Sequence, residues 1–180
     1  DLGTTITSVD WSAEGNYIVT GGNGPATNYD EVTILNYDEG SVDLISTESA
    51  NYGNFVYAVA WNPDDETLAV SGYGPTDGSN IKLFNFRHPI VEENVGARME
   101  FGETVRTSAW SKDGSLFAIA GVDENLDTVL QLYAFDGSKL TLTYEIDWIP
   151  QVVNSMDWSH NGNYLAFTVD QGSAQVAYVY

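Results

Sequence analysis

The chain contains no cysteine, which excludes disulfides, thiolate metal centres and a cysteine nucleophile, and leaves the redox compartment open. Cations are nearly as scarce: six Lys and Arg stand against 26 Asp and Glu, for a net charge of −20. A surface of that sign repels nucleic-acid phosphates and anionic membranes, so neither is an expected partner. Histidine occurs only twice, and no apolar run approaches the ~20 residues that a membrane-spanning helix needs. There is no Asn-x-Ser/Thr acceptor for N-glycosylation. The first residue is Asp1 rather than Met, so a processed leader or a window of a longer chain is expected. What the sequence does have is apolar material. Over 180 residues it is 43% hydrophobic and 13% aromatic, enough for a packed core and too much for a disordered segment.

The apolar residues are periodic on two scales. Trp11, Trp61, Trp110 and Trp158 recur at intervals of 50, 49 and 48 residues. Each closes a short apolar run (ITSVDW, VYAVAW, VRTSAW, VNSMDW) and is followed by a turn (SAEG, NPDD, SKDG, SHNG). A second run comes next (NYIVTGG, ETLAVSG, SLFAIAG, NYLAFTV), then a loop and a third run (VTILNY, IKLFNF, LQLYAF, QVAYVY). In the first and third units a tight turn leads to a fourth run, VDLIST and LTLTYEI, where the second unit has the poorer HPIVEENV. Val, Ile, Tyr, Phe and Thr dominate these runs, as strands require, and Gly and Asp supply the turns. No long segment shows the i, i+3, i+4, i+7 spacing of a helix.

These units, with strands a to d, predict an all-β fold of four tandem four-stranded antiparallel sheets, the blades of a β-propeller. Approximate boundaries are 1–49, 50–99, 100–148 and 149–180, with the last blade lacking its outer strand. The four Trp rings are expected between adjacent blades as structural anchors. Strand b, apolar on both sides, is expected to be covered by both neighbours.

The stretches VDWSAEGNYIVTGG, VAWNPDDETLAVSG, SAWSKDGSLFAIAG and MDWSHNGNYLAF resemble the WD-repeat β-propeller family. The family's Trp-Asp pair at the end of strand c falls on Leu35-Asn36, Phe84-Asn85, Tyr133-Ala134 and Tyr178-Val179, and its Gly-His pair before strand a is absent. The Asp–His–Ser/Thr–Trp hydrogen-bond network of many members therefore has no residues here, and aromatic packing and strand ladders must take its place. The resemblance implies a ring of seven or so blades. Four fall short of it, so a longer propeller, two copies completing an eight-bladed ring, or head-to-tail addition of copies through open blade edges is expected.

No Ser-His-Asp arrangement is suggested, and His88 and His160 both fall in turns. The acidic loop GVDENLDT, with Asp123 and Asp127, offers the oxygen ligands that calcium favours, without the EF-hand pattern. A solvated acidic loop is the alternative. The long b–c loops (22–31, 72–80, 121–128) and d–a connections (47–55, 96–104, 147–152) emerge on one face. That face carries Tyr29, Asp30, Tyr52, Phe55, Tyr73, Asp77 and Trp148, aromatics beside carboxylates that suit protein, peptide or sugar contacts. The expected function is a non-enzymatic scaffold for protein–protein interaction or self-assembly, extracellular or at the cell surface, with a cytoplasmic location as the alternative and no cofactor other than calcium. The competing reading is a carbohydrate- or calcium-binding propeller, or a hydrolase domain, using acidic loop residues.

Overall fold

Period-two runs separated by short turns fold back on themselves, and each repeat of this chain does so as an antiparallel meander. The computed structural model describes residues 5–23, 30–38, 45–74, 77–149, 151–170 and 175–179. The first sheet runs β1 (Thr5–Trp11), β2 (Tyr17–Asn23), β3 (Val32–Asn36), β4 (Ile45–Ala50), and the second β5 (Val56–Trp61), β6 (Thr67–Gly72), β7 (Ile81–Arg87), β8 (Ile90–Glu93). The third runs β9 (Thr104–Trp110), β10 (Leu116–Val122), β11 (Thr128–Phe135), β12 (Leu140–Ile149). The fourth has three strands among the described residues: β13 (Val153–Trp158), β14 (Leu165–Asp170) and β15 (Gln175–Val179). The only helical turn among those residues is 3-10, at Val95–Ala97. Innermost strands neighbour one another in chain order, β1 with β5, β5 with β9 and β9 with β13. The sheets are propeller blades.

On strands a and b each blade has one face of larger and one of smaller side chains, and stacking sets the larger against the smaller, with the aliphatic residues of strand c completing the contact. Trp61, Leu68 and Val70 of the second blade pack on Val19, Val32 and Ile34 of the first. Trp110, Phe117 and Ile119 of the third pack on Ala60 and Ala69 of the second. Leu165, Phe167 and Trp158 of the fourth pack on Ala118, Ala120 and Ala109 of the third. Gly21 is the extreme small residue: a Cβ there would lie 2.5 Å from Val56 Cγ1 and 2.6 Å from Val59 Cγ1. Strand β6, enclosed by two neighbours, is buried at all six positions, as expected of strand b. In β14 burial alternates residue by residue, because one of its faces is open.

The four rings differ in how far the described residues cover them. Trp61 and Trp110 are 5% and 8% exposed and Trp158 is half-buried against the third blade, but Trp11 is 48% exposed. Its ring lies on the open large face of the first blade, edge-on to Tyr37 at 5.2 Å.

Strand b carries Gly22, Gly72 and Gly121 at or next to its last residue because the backbone of strand a passes close there. A Cβ would lie 1.9 Å from the Thr5 carbonyl oxygen, 2.0 Å from that of Phe55 and 2.0 Å from that of Thr104. Blade four carries Val169 at this place, paired with Val153. Gly72→Ala is expected to cost about 1–2 kcal/mol through the backbone shift it forces. Gly74→Ala, whose Cβ would have only Asn80 Nδ2 at 3.7 Å, serves as the neutral control. Urea unfolding that ranks the two equally would contradict this account.

Candidate functional site

In all four blades the register of strand a slips by one residue at the same place. The slips fall between Ile6 and Ser8, Val56 and Ala58, Val105 and Thr107, and Val153 and Ser155. The residues left unpaired are Thr7, Tyr57, Arg106 and Asn154, each four positions ahead of its Trp. A β-bulge re-aims its extra side chain away from the regular alternation. Thr7 Oγ1 donates to the Val56 carbonyl at 2.6 Å and to that of Gly21 at 3.1 Å, bridging the first two blades. The Arg106 guanidinium lies 4.9 Å from the Tyr57 ring centroid, bridging the second and third. Tyr57 stacks in turn on Phe55 at 5.1 Å. The Tyr73 amide donates to the Phe55 carbonyl at 3.0 Å, so the backbone of this 44%-exposed residue adjoins that of Phe55. Phe55, Tyr57, Tyr73 and Arg106 thus form one aromatic and cationic patch at the long-loop end of the innermost strands.

Beside the patch, a buried polar hub locks the loops of three blades. Asn80 accepts the Tyr52 hydroxyl at its carbonyl (2.9 Å) and the Phe101 amide at Oδ1 (3.1 Å), while its Nδ2 donates to the Glu103 carbonyl at 3.3 Å. Lys82, only 4% exposed, donates from Nζ to the Tyr52 carbonyl at 2.8 Å and pairs with Asp77 at 2.8 Å. Arg98 reaches Asp77 at 3.2 Å and also pairs with Glu93. Burial works against charge on Asp77, but the Lys82 hydrogen bond, the Ser79 amide and the Lys82 charge outweigh it and hold its pKa at about 2. Burial and the Asp77 charge push the Tyr52 phenol up.

Two of the surface cavities carry titratable groups on their walls. One, of about 800 Å³, is lined by the innermost strands and a–b turns of all four blades, with Asp10, Asp157, Lys112 and His160 on its wall. Burial raises the pKa of Asp10, the charge of Asp157 adds to that, and the amides of Trp61 and Trp11 oppose it. The second, of about 930 Å³, is ringed by Glu100, Glu103, Asp123, Glu124, Asp127 and Glu145.

The residues singled out from the sequence separate accordingly. Phe55 and Tyr73 belong to the patch. Tyr52 does not offer a binding surface: it is 0% exposed, a core side chain whose hydroxyl is spent on Asn80. Asp77 is committed to Lys82 and Arg98, and Asp30 accepts the Ser49 hydroxyl. Tyr29 and the side chain of Trp148 lie outside the described residues. Asp123 closes its own loop, accepting the amides of Asn125 and Asp127 at Oδ1, both at 2.9 Å. The Asp127 amide, the Asn125 side chain and the Asn125 amide hold its pKa low against slight desolvation. Among the described residues no group of three or more His, Cys, Asp or Glu is arranged to hold a metal. Tyr57 and Arg106 escaped the sequence reading. The signal for them was a column that reads Thr, Tyr, Arg, Asn across the four repeats inside otherwise apolar runs.

Residues 27–177 match the family model described as "Eukaryotic translation initiation factor eIF2A", and residues 2–24 match "WD domain, G-beta repeat". An "Ethylene-inducing xylanase" from Hypocrea rufa is 27% identical over 93 residues, covering 47% of this chain and 42% of that protein. The crystal structure of Sqt1 from Chaetomium thermophilum aligns with a TM-score of 0.72 at 15% identity, over 98% of this chain and 44% of that one. At that identity the likeness is one of fold. The chain spans less than half the length of either relative.

Proposed function

The chain belongs to the eukaryotic translation initiation factor eIF2A family and is a WD40-type propeller, and from that premise we propose a non-enzymatic scaffold that holds protein partners at the patch of Phe55, Tyr57, Tyr73 and Arg106. Propellers of this type are generally protein-interaction scaffolds. The observation that carries the reading is the Arg106–Tyr57–Phe55 stack with Tyr73 beside it. Tyr and Arg are the residues in which binding energy at protein interfaces concentrates, and rings held in place lose little entropy when a partner lands on them. The hub at Asn80 and the interlocked blades supply that rigidity. A chain of net charge −20 is set against nucleic-acid phosphates, so its contacts are with protein.

Panning a random-peptide library on the chain tests this. Enriched peptides are expected to lose at least about tenfold in affinity for Arg106→Glu and for Tyr73→Ala, with circular dichroism unchanged in both variants. Peptides that bind both variants as well as the parent would place the interaction elsewhere and overturn the reading.

A further inference from the structure

Arginine is scarce enough here to be accounted for one residue at a time. The chain has Arg87, Arg98 and Arg106. Arg87 pairs with Glu66 at 3.5 Å, and Arg98 pairs with Asp77 and Glu93. Arg106, exposed on β9, has no ion pair among the described residues, although the chain carries 26 Asp and Glu. Its guanidinium lies over the Tyr57 ring instead, and its N–H groups have no acceptor among the described residues. The bulge accounts for the separation of charges. Glu103, three residues ahead, lines the acidic cavity with Glu100, Asp123 and Glu124, and Arg106 does not. A bulged residue leaves the regular alternation of its strand, so this cation and the acid nearest to it in sequence face different spaces. Tyr57 and Arg106 belong to the second and third blades, each of which has a described blade on both sides. No further blade can stack over them.

We propose that Arg106 receives an acidic side chain, Glu or Asp, of the protein segment that docks on the Phe55–Tyr57 stack, its guanidinium N–H groups donating to the two carboxylate oxygens. This rests on the patch being a protein-binding surface and adds the chemistry of the occupant. The planar fork of arginine matches a carboxylate through two parallel hydrogen bonds, and a guanidinium already seated on a ring loses little freedom in making them. The acceptor is a side chain and not a chain terminus because the stack is open. Arg106 is exposed and Phe55 and Tyr57 are half-buried, whereas terminal carboxylates are captured in closed nests of backbone amides. The surroundings limit the occupant to one such group. Tyr73 pairs with Thr104, the residue after Glu103, so the acidic cavity adjoins the patch, and its carboxylates repel a segment that is acidic throughout. The matching segment carries a single Glu or Asp among apolar and basic residues.

Three random-peptide libraries of one layout test this, none otherwise acidic: a central Glu with both ends blocked, a central Gln with both ends blocked, and a central Gln with a free C-terminal carboxylate. Each is panned on the chain, and binders are kept only if Tyr73→Ala weakens them at least about tenfold. The Glu library is expected to supply the tightest of them. Changing their Glu to Gln is expected to cost at least about tenfold, and Arg106→Gln to cost the same. The two changes together should cost no more than either alone, the mark of a direct contact. Arg106→Glu should reverse the preference, so that Lys-centred forms of the same peptides bind better than Glu-centred ones. These variants alter an exposed side chain, and circular dichroism verifies their fold. Glu and Gln forms that bind the parent alike, or that lose equally on Arg106→Gln, overturn the carboxylate contact and leave the reading of the patch standing. If the free-terminus library supplies the tightest binders, the carboxylate belongs to a chain end and the side-chain assignment is overturned. If no library yields binders that depend on Tyr73, the reading of the patch falls and this inference falls with it.

Discussion

Trp110→Ala is expected to cost about 4 kcal/mol of stability, and Trp11→Ala, at the same place in the first repeat, about 1 kcal/mol. The sequence presents the two as equivalents. The structure does not, because the energy of a buried ring lies in what covers it. Trp110 is enclosed between blades, 4.5 Å from the ring of Phe117 and 5.0 Å from that of Phe135, and its removal leaves a cavity that two stiff sheets cannot collapse. Trp11 is half in water already. A second comparison isolates the indole hydrogen bond. Trp110 Nε1 donates to the Ala60 carbonyl at 3.1 Å, whereas Trp61 Nε1 is buried with no partner among the described residues. Trp→Phe removes similar ring volume at both sites. At residue 110 it also forfeits a hydrogen bond, and at residue 61 it relieves an unsatisfied donor. Trp110→Phe is therefore expected to be the more damaging by about 1–2 kcal/mol. Urea denaturation of the four variants measures all of this, and equal costs at residues 11 and 110 would refute the large-on-small account of blade stacking.

The contrast shows which features were legible in the residues. Strands a and b could be located because the Trp spacing and the two-residue alternation are local properties, and the weak fourth run of the second unit is indeed the short strand Ile90–Glu93. The b–c loops were legible too, since turn residues mark where pairing stops, but strand d runs on into two of the expected d–a connections, to Ala50 and to Ile149. Burial was not. Trp11 and Tyr52 look alike in sequence, large aromatics near strand ends, yet one is open and the other fully enclosed. That difference depends on which blade lies next to them, a long-range fact that no local window contains. Lys82 was hidden for a related reason. A lysine in IKLFNF ordinarily leads its charge out to water. Only the loop that returns Asp77 to its ammonium, with the Tyr52 carbonyl beside it, makes the buried position tolerable.

Asp77→Ala is expected to cost about 3 kcal/mol at pH 7, a large effect for a substitution in a loop. It leaves the buried Lys82 ammonium with the Tyr52 carbonyl and no counter-charge. Breaking a fully enclosed pair costs about 3–5 kcal/mol, and the lower end applies because Asp77 is itself partly open to water. The pH dependence identifies the cause. The folded-state pKa of Asp77, about 2, lies below the ~3.9 of an unfolded aspartate. The group therefore binds protons more weakly in the folded chain. Its contribution is present in full above about pH 4 and disappears as pH falls through about 2. The stability curves of parent and variant should accordingly run parallel from pH 7 to about 5 and converge below 4. Asp113, held at about 2 mainly by the hydroxyls of Ser111 and Ser115, adds the same acid slope to both curves and cancels in their difference. Lys82→Met offers the complementary test, because it removes the buried charge while keeping the aliphatic stem packed. It should cost less than Asp77→Ala, since an unpaired carboxylate at the surface can be hydrated and an unpaired ammonium in the core cannot. If Lys82→Met proved the worse of the two, or if the parent and Asp77→Ala curves stayed apart down to pH 2, the hub would owe its stability to shape and not to charge.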